Sequence, residues 1–315
     1  MQCRPVPDPA GLSRQPCPRP VRFGGVPERT LPARDEQGGG SPSIQPQGAE
    51  MPRAGLTIVL ANQKGGVAKT TTTLNLGVAL RERGFRVLAV DLDPQSNLSM
   101  SQGIDVEDLG ATMFDVLVRD EPMTAVIQAK EIDIAVAGIE LAGAELALSS
   151  MIGRERRLDM VLRPMRALYD FILIDTPPSL GLLTINAMVA ADGVIVPVQC
   201  EYLSLRGLAQ LSQTLAQVRE HLNPKVDIMG ILPTMYDGRT MHSRDAVAVL
   251  ESNFGDRVYR TRIGKTIRFA EAPVEGRSII SYDSRGQAAR WYRLLAREVL
   301  ASVGVAEPDR EPAAA

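Results

Sequence analysis

The chain has 315 residues, 44% of them hydrophobic and 23% charged, with a formal net charge of −2. That length and apolar content support one large core, and the near-neutral balance excludes a chain that is basic throughout, so any nucleic-acid surface has to be a local patch. Three cysteines, two of them in the first fifty residues, exclude a disulfide scaffold and fit a reducing, cytoplasmic compartment, and no window has the apolar length of a signal peptide or a membrane span.

The first fifty residues hold 10 of the 22 prolines, a Gly38-Gly39-Gly40 run and six arginines set against Asp8, Glu28, Asp35, Glu36 and Glu50. Burial cannot offset the ordering entropy of such a segment, so 1–53 is predicted as a disordered tail, with Met51 as an alternative start. Residues 54–303 follow as one domain and 304–315 as a flexible polar end. Within the domain, β-branched runs alternate with longer helical patterns. Strands are expected over Leu56 to Ala61, Val87 to Val90, Ile132 to Val136, Phe171 to Ile174, Gly193 to Val198 and Ile228 to Leu232. Helices are expected over Thr70 to Arg83, Leu180 to Ala190, Ser204 to His221, Arg244 to Asn253 and Arg285 to Ala301. The fold class is α/β: a doubly wound, mostly parallel sheet with helices on both faces, its strands apolar throughout because both faces are covered.

Ala61-Asn62-Gln63-Lys64-Gly65-Gly66-Val67-Ala68-Lys69-Thr70-Thr71 lies between the first strand and the first helix, where a phosphate-cradling loop belongs. Backbone N–H groups of Gly65, Gly66, Val67 and Ala68 and the helix N-terminus offer positive charge to phosphates; Lys69 can reach the terminal phosphates, Thr70 can ligate Mg²⁺, and Thr71 completes the turn. Gln63 and Ala68 replace the two glycines of the common G-x-x-x-x-G-K-[ST] pattern, and Ala68 limits how closely the loop can fold. Lys64 is an extra cation five residues before Lys69, too far round the loop to share the same phosphate from its own chain.

Two further segments are apolar strands that end in acids. Val87-Leu88-Ala89-Val90-Asp91-Leu92-Asp93-Pro94 and Phe171-Ile172-Leu173-Ile174-Asp175-Thr176-Pro177 direct Asp91, Asp93 and Asp175 to the carboxyl edge of the sheet, where ligands of open α/β folds sit. Alternation puts Asp91 and Asp93 on one face, one to position water and the other to support Mg²⁺ or Lys69. Asp175 is a candidate to hold a Mg²⁺-bound water, with Thr176 and the prolines after it as a γ-phosphate-sensing switch.

Taken together, these motifs resemble the ParA/Soj branch of the deviant-Walker P-loop ATPases from about Leu56 to Val303, supported by Val196-Pro197-Val198-Gln199-Cys200-Glu201-Tyr202, Ser204-Leu205-Arg206-Gly207-Leu208, Thr234-Met235-Tyr236-Asp237-Gly238-Arg239-Thr240 and Phe269-Ala270-Glu271-Ala272-Pro273. The resemblance implies a homodimer sandwiching two MgATP. In it Lys64 acts across the interface, Lys69 is the main phosphate lysine, Thr70 the Mg²⁺ ligand, Asp93 the residue needed for hydrolysis, and Met235 lies beside the nucleotide. It also implies non-specific DNA contacts from Arg239, Lys265 and Arg268, weak intrinsic hydrolysis, a ParB-like partner that stimulates it, and a nucleoid-associated location. The family carries Pro-Arg-Asn where this chain has Gly264-Lys265-Thr266; Lys265 keeps the charge without the planar fork. Independently of the family, Arg239 to Arg290 holds ten Arg or Lys against six Asp or Glu, a surplus suited to phosphate contacts that carry no base code. Two alternatives use the same loop: a MinD-like positioning ATPase, disfavoured by an end that lacks a basic amphipathic helix, and an ATP-dependent ligase of small molecules.

Overall fold

The computed structural model describes residues 55–201 and 204–306, with the side chains of 204–206 outside that description. The predicted tail over 1–53 and positions 307–315 of the predicted end fall outside the described residues. Seven strands form one sheet: β1 (Leu56–Leu60), β2 (Val87–Asp91), β3 (Ile127–Ala129), β4 (Asp133–Ala135), β5 (Phe171–Asp175), β6 (Gly193–Gln199) and β7 (Ile228–Thr234). Their order is β3-β4-β2-β5-β1-β6-β7, and every neighbouring pair is parallel except β3 with β4. The helices are α1 (Lys69–Arg81), α2 (Asn97–Met100), α3 (Met113–Val118), α4 (Ala144–Ser149), α5 (Arg157–Leu162), α6 (Leu182–Ala190), α7 (Ser204–His221), α8 (Met241–Phe254), α9 (Arg268–Val274), α10 (Ile279–Tyr282) and α11 (Gln287–Val303). No described helix is long and apolar enough to cross a membrane.

The chain order explains where the site lies. From β1 the chain crosses through α1 to β2 on one side of the sheet, and from β5 it crosses through α6 to β6 on the other. Right-handed crossovers in opposite directions put α1 and α6 on opposite faces, and the ends of β1 and β5 meet at the switch point between them. The register sharpens this: Asp175 pairs with Leu60 on one side and Asp91 on the other, so three strand ends converge.

Both faces are sealed by apolar stripes. α11 buries Ala288, Ala289, Tyr292, Leu295, Ala296, Val299 and Leu300, a three-and-four spacing that points one side of the helix at α1. Each large side chain withdrawn this way contributes about 1.5–3 kcal/mol. The Tyr292 ring is fully buried, and its hydroxyl lies 3.3 Å from Thr72 Oγ1, so the helix carrying the phosphate loop is tied to the last helix. On the opposite face α6 packs on α5 and α7.

The six expected strands are present, several one or two residues longer or shorter than expected. The hairpin partner β3 was not expected; it has three residues and adds the one antiparallel pair among the described residues. The short helices α2, α3, α4, α5, α9 and α10 are likewise additions. Two of them carry side-chain caps: at α3 Thr112 accepts from Phe114 N and Asp115 accepts from Thr112 N in a capping box, and at α10 Ser278 accepts from Ser281 N.

Candidate functional site

The loop from Ala61 to Ala68 leaves β1 and enters α1 at Lys69. Its shape is fixed by bonds to neighbouring strand ends. Asn62 Nδ2 donates to Pro197 O at 2.7 Å, Lys64 N donates to Asn62 Oδ1 at 3.0 Å, and Thr234 Oγ1 donates to Val67 O at 3.1 Å. Gly65 and Gly66 are exposed, and nothing lies within 4 Å of the position a Cβ on Gly66 would take, so the crest of the loop is an open cradle of N–H groups. Gly66 has φ 71°, and Ala68 follows with φ 69° and ψ 35° as the N-cap of α1. The methyl group therefore does not stop the loop from turning; it makes the turn strained, at a cost on the order of 1 kcal/mol.

Lys69 and the acids meet beneath this cradle. Lys69 is 7% exposed, Asp93 8%, and Asp91 and Asp175 are fully buried. Thr70 Oγ1 donates to Asp175 Oδ2 at 2.6 Å, and Thr73 Oγ1 approaches Asp175 Oδ1 at 3.4 Å. Burial, then the neighbouring Asp91 charge, pushes the Asp175 carboxyl well above the ordinary carboxylate range, and burial pulls the Lys69 ammonium down against the attraction of Asp175 and Asp93. Among the described residues no three of His, Cys, Asp and Glu gather to cage an ion. One hydroxyl with carboxylates nearby instead suits Mg²⁺, which keeps waters and takes phosphate oxygens as ligands, so Thr70, Asp93 and Asp175 fit the ion and the cradle fits a triphosphate.

Asp91 behaves differently from the expectation. β2 ends at Asp91, so Asp93 lies in the turn beyond and strand alternation does not relate the two. The Asp91 carboxylate turns inward, accepting from Asp93 N at 3.1 Å, Ser99 N at 3.0 Å and Ser99 Oγ at 2.8 Å, and burial raises its pKa to about 6. It anchors α2 and sets the turn that carries Asp93, whose own Oδ1 accepts from Gln95 N at 3.0 Å. Ser99 was not read from the sequence, because its role depends on a contact eight residues away that no periodicity marks.

Lys64 is separate from this buried group. Its side chain is 40% exposed on the crest, and its ammonium meets Glu201 Oε2 at 3.1 Å, with Gln199 Nε2 holding the other carboxylate oxygen at 2.5 Å. Met235 sits at the end of β7 with φ 52°, and Ser96, fully enclosed after Asp93, has φ 53°. Three of the four described non-glycine residues with positive φ (Ala68, Ser96, Met235, with Asp120 elsewhere) thus lie on the loops around this site, the usual setting for stored backbone strain.

The candidate DNA residues fall in two places. A parallel bridge between Tyr236 and Gly264 brings Arg239 and Lys265 to one groove. Arg239 there is wide open but bound to Asp237 at 2.9 Å. Arg268 starts α9, pairs with Glu271 at 3.1 Å and lies over Tyr282 at 5.8 Å, outside that groove. The departure at Gly264 has a packing reason: a Cβ there would meet Trp291 Cη2 at 2.4 Å, so with this indole in place the position has no room for proline.

Comparison with known proteins agrees with this geometry. Residues 55–228 match the family described as AAA domain. Sporulation initiation inhibitor protein Soj of Bacillus subtilis is 46% identical over 251 residues, 79% of this chain and 99% of that protein. Chromosome partitioning protein ParA of Caulobacter vibrioides is 42% identical over 263 residues, 82% of this chain and 97% of that one. Among solved structures, a Mycobacterium smegmatis protein described as cobyrinic acid a,c-diamide synthase, with bound ATP analog and magnesium, superposes with a TM-score of 0.70 at 38% identity over 79% of this chain and 96% of that chain.

Proposed function

The chain belongs to the ParA/Soj family of P-loop ATPases, and from that premise we propose that it is an ATP-dependent DNA partition protein whose ATP-bound dimer holds DNA without reading its sequence. The observation that carries the reading is the division of labour between two lysines on one loop: Lys69 is buried with Asp93 and Asp175 acting on its charge, while Lys64 stands apart on the crest, part-exposed and paired with Glu201. On leaving Glu201, a cation in that position can serve a nucleotide held by a second copy of the chain.

In this account the loop N–H groups and Lys69 bind the phosphates of ATP, and the α1 N-terminus adds its dipole. Mg²⁺, when bound, supplies charge neutralisation at the terminal phosphates. Thr70 and Asp175 would hold that ion, Asp93 would position the attacking water, and Asp91 holds the turn that carries Asp93. Positioning and charge carry phosphoryl transfer to water, so no strong general base is required. Intrinsic turnover is weak because the site waits for a ParB-like partner, and Arg239, Lys265 and Arg268 of both chains supply sequence-independent contacts to DNA in the cytoplasm. The Caulobacter vibrioides relative named for chromosome partitioning supports this reading.

Lys64→Ala tests it. The variant should bind ATP as a single chain yet lose ATP-dependent binding to a DNA duplex; undiminished duplex binding would overturn the scheme. The Mycobacterium smegmatis likeness favours a second reading, a small-molecule amide ligase. Hydrolysis stimulated by DNA and a basic peptide supports partition, whereas turnover dependent on a small carboxylic acid and an amine donor supports the ligase.

A further inference from the structure

We propose that the cavity between the Pro94–Ser96 turn, the 106–119 stretch and the turn Ile139–Gly143 after β4 is a binding site for a small organic polycation of the alkyl diamine or polyamine class. The inference stands apart from the partition reading, since neither nucleotide nor DNA enters it. The cavity has a volume of about 710 Å³, within the range of small-molecule sites. It adjoins the turn that carries Asp93 without including a residue assigned to the nucleotide.

Its polar lining divides into committed and uncommitted groups. Arg119 pairs with Asp115 Oδ1 at 2.6 Å and lies 5.3 Å from the Phe114 ring centre, while the other Asp115 oxygen accepts from Thr112 N at 2.8 Å. That pair is neutral and closed to a ligand. Glu107 and Glu140 are exposed, come from different elements, and have no ion-pair partner among the described residues. The Glu140 carboxylate folds back over the chain: a Cβ on Gly138 would lie 2.6 Å from its Oε2 and 2.9 Å from Thr112 Cγ2, so glycine there is what lets the carboxylate settle beside Thr112. Ser96 lines the cavity from the side of the Asp93 turn. It is only 2% exposed, and its hydroxyl has no hydrogen-bond partner among the described residues. A buried hydroxyl left unpaired costs free energy that a ligand donor would recover.

The uncommitted groups specify the ligand. Two carboxylates only accept, and a hydroxyl can accept, so the complement is all donor and positively charged. Among the described residues the acids do not gather closely enough to cage a metal ion, so the two charges call for separate cationic groups. Pro94, Val106, Leu109 and Ile139 line the same cavity, and Ile139 is 72% exposed, which suits an apolar stem between the cations. A peptide would bring a carbonyl at every residue, and the one cation in the lining, Arg119, is already engaged. An alkyl polyamine has ammonium groups, methylene stems and no acceptor.

Calorimetric titration of the full chain with spermidine tests the site, in the absence of nucleotide and DNA because both bind polyamines themselves. One spermidine should bind per chain. The double variant Glu107→Gln/Glu140→Gln should weaken it about tenfold, the worth of two exposed ion pairs, and should bind MgATP as the wild type does. Ser96→Ala should weaken it about threefold through loss of one hydrogen bond. Butylamine, with one cation, should bind about tenfold more weakly than spermidine. A matched variant with two exposed acids outside the cavity neutralised, Glu220→Gln/Asp256→Asn, should leave spermidine affinity unchanged. No spermidine binding, or equal weakening by the matched variant, overturns the proposal. Equal binding of Mg²⁺ alone makes the cavity a general acidic patch and overturns the polyamine assignment. An arginine-rich peptide that displaces spermidine and binds more tightly assigns the cavity to a protein partner and overturns it as well.

Discussion

Replacing Glu131 tests how firmly the turn between β3 and β4 is fastened to the start of α10. Its carboxylate accepts from Ser278 N at 2.7 Å, Ser278 Oγ at 2.5 Å, Ser281 Oγ at 2.6 Å and Gln102 Nε2 at 3.4 Å. Glu131→Ala leaves the Ser278 N–H, on a residue with no exposed surface, without an acceptor. The two hydroxyls, 3.5 Å apart, can re-pair only with each other. One orphaned buried donor and two weakened charge-assisted bonds together cost about 3 kcal/mol. For a domain of this size each kcal/mol moves the melting midpoint by about 2–4 °C, so the far-ultraviolet dichroism melt should fall by about 6–12 °C. Glu131→Gln keeps an acceptor toward Ser278 N and should cost about 1 kcal/mol. pH gives an independent check. Burial alone would raise the Glu131 pKa, but the bonds from Ser278, Ser281 and Gln102 outweigh it and hold the value below the ordinary one. Below the ordinary glutamate pKa the unfolded chain takes up a proton that the fold refuses. The margin of wild type over Glu131→Gln is therefore full above about pH 4.5 and shrinks as pH falls through the depressed folded value. A Glu131→Ala melt within about 2 °C of wild type, or a margin that grows on acidification, would refute the reasoning.

Ala68→Gly should raise the melting midpoint by about 1–4 °C, because glycine adopts the observed left-handed φ without the strain a methyl group adds, a net gain of about 0.5–1 kcal/mol; a lower midpoint by calorimetry would show that the turn is unstrained. Glu201→Gln should leave the melting midpoint within about 1 °C, since the Lys64 pair is half exposed, and exposed pairs contribute about 0–1 kcal/mol. The same change should lower the protein concentration needed for ATP-dependent association by up to about fivefold per pair, because Lys64 no longer leaves an intrachain partner; sedimentation showing weaker association would contradict this.

The parts of the fold legible in sequence are those whose stability is written locally. Five of the strands are apolar runs of five to seven residues, and Ser204–His221 begins and ends where its pattern does. β3 escaped because Ile127–Ala129 is three residues long, with Gln128 and Ala129 exposed, and exists only through its pairing with β4. α2 escaped because one turn has no period to read, and its anchor is the Asp91 carboxylate. At the site, the loop and its acids could be read from spacing. The partnership of Lys64 with Glu201 spans 137 positions, and the fit of Trp291 against Gly264 depends on the path of α11; neither leaves a local mark. The Asp91 and Asp93 pair shows the same limit, since alternation holds only while the strand continues and β2 stops at the first of them.

The central claim is that Lys64 turns ATP occupancy into a two-chain clamp, and sedimentation velocity tests it most directly. Asp93→Ala, in which hydrolysis is blocked, should sediment at twice the single-chain mass in saturating MgATP and as one chain without nucleotide, and adding Lys64→Ala should return it to one chain. An Asp93→Ala protein that stays single in MgATP at every concentration would contradict the account.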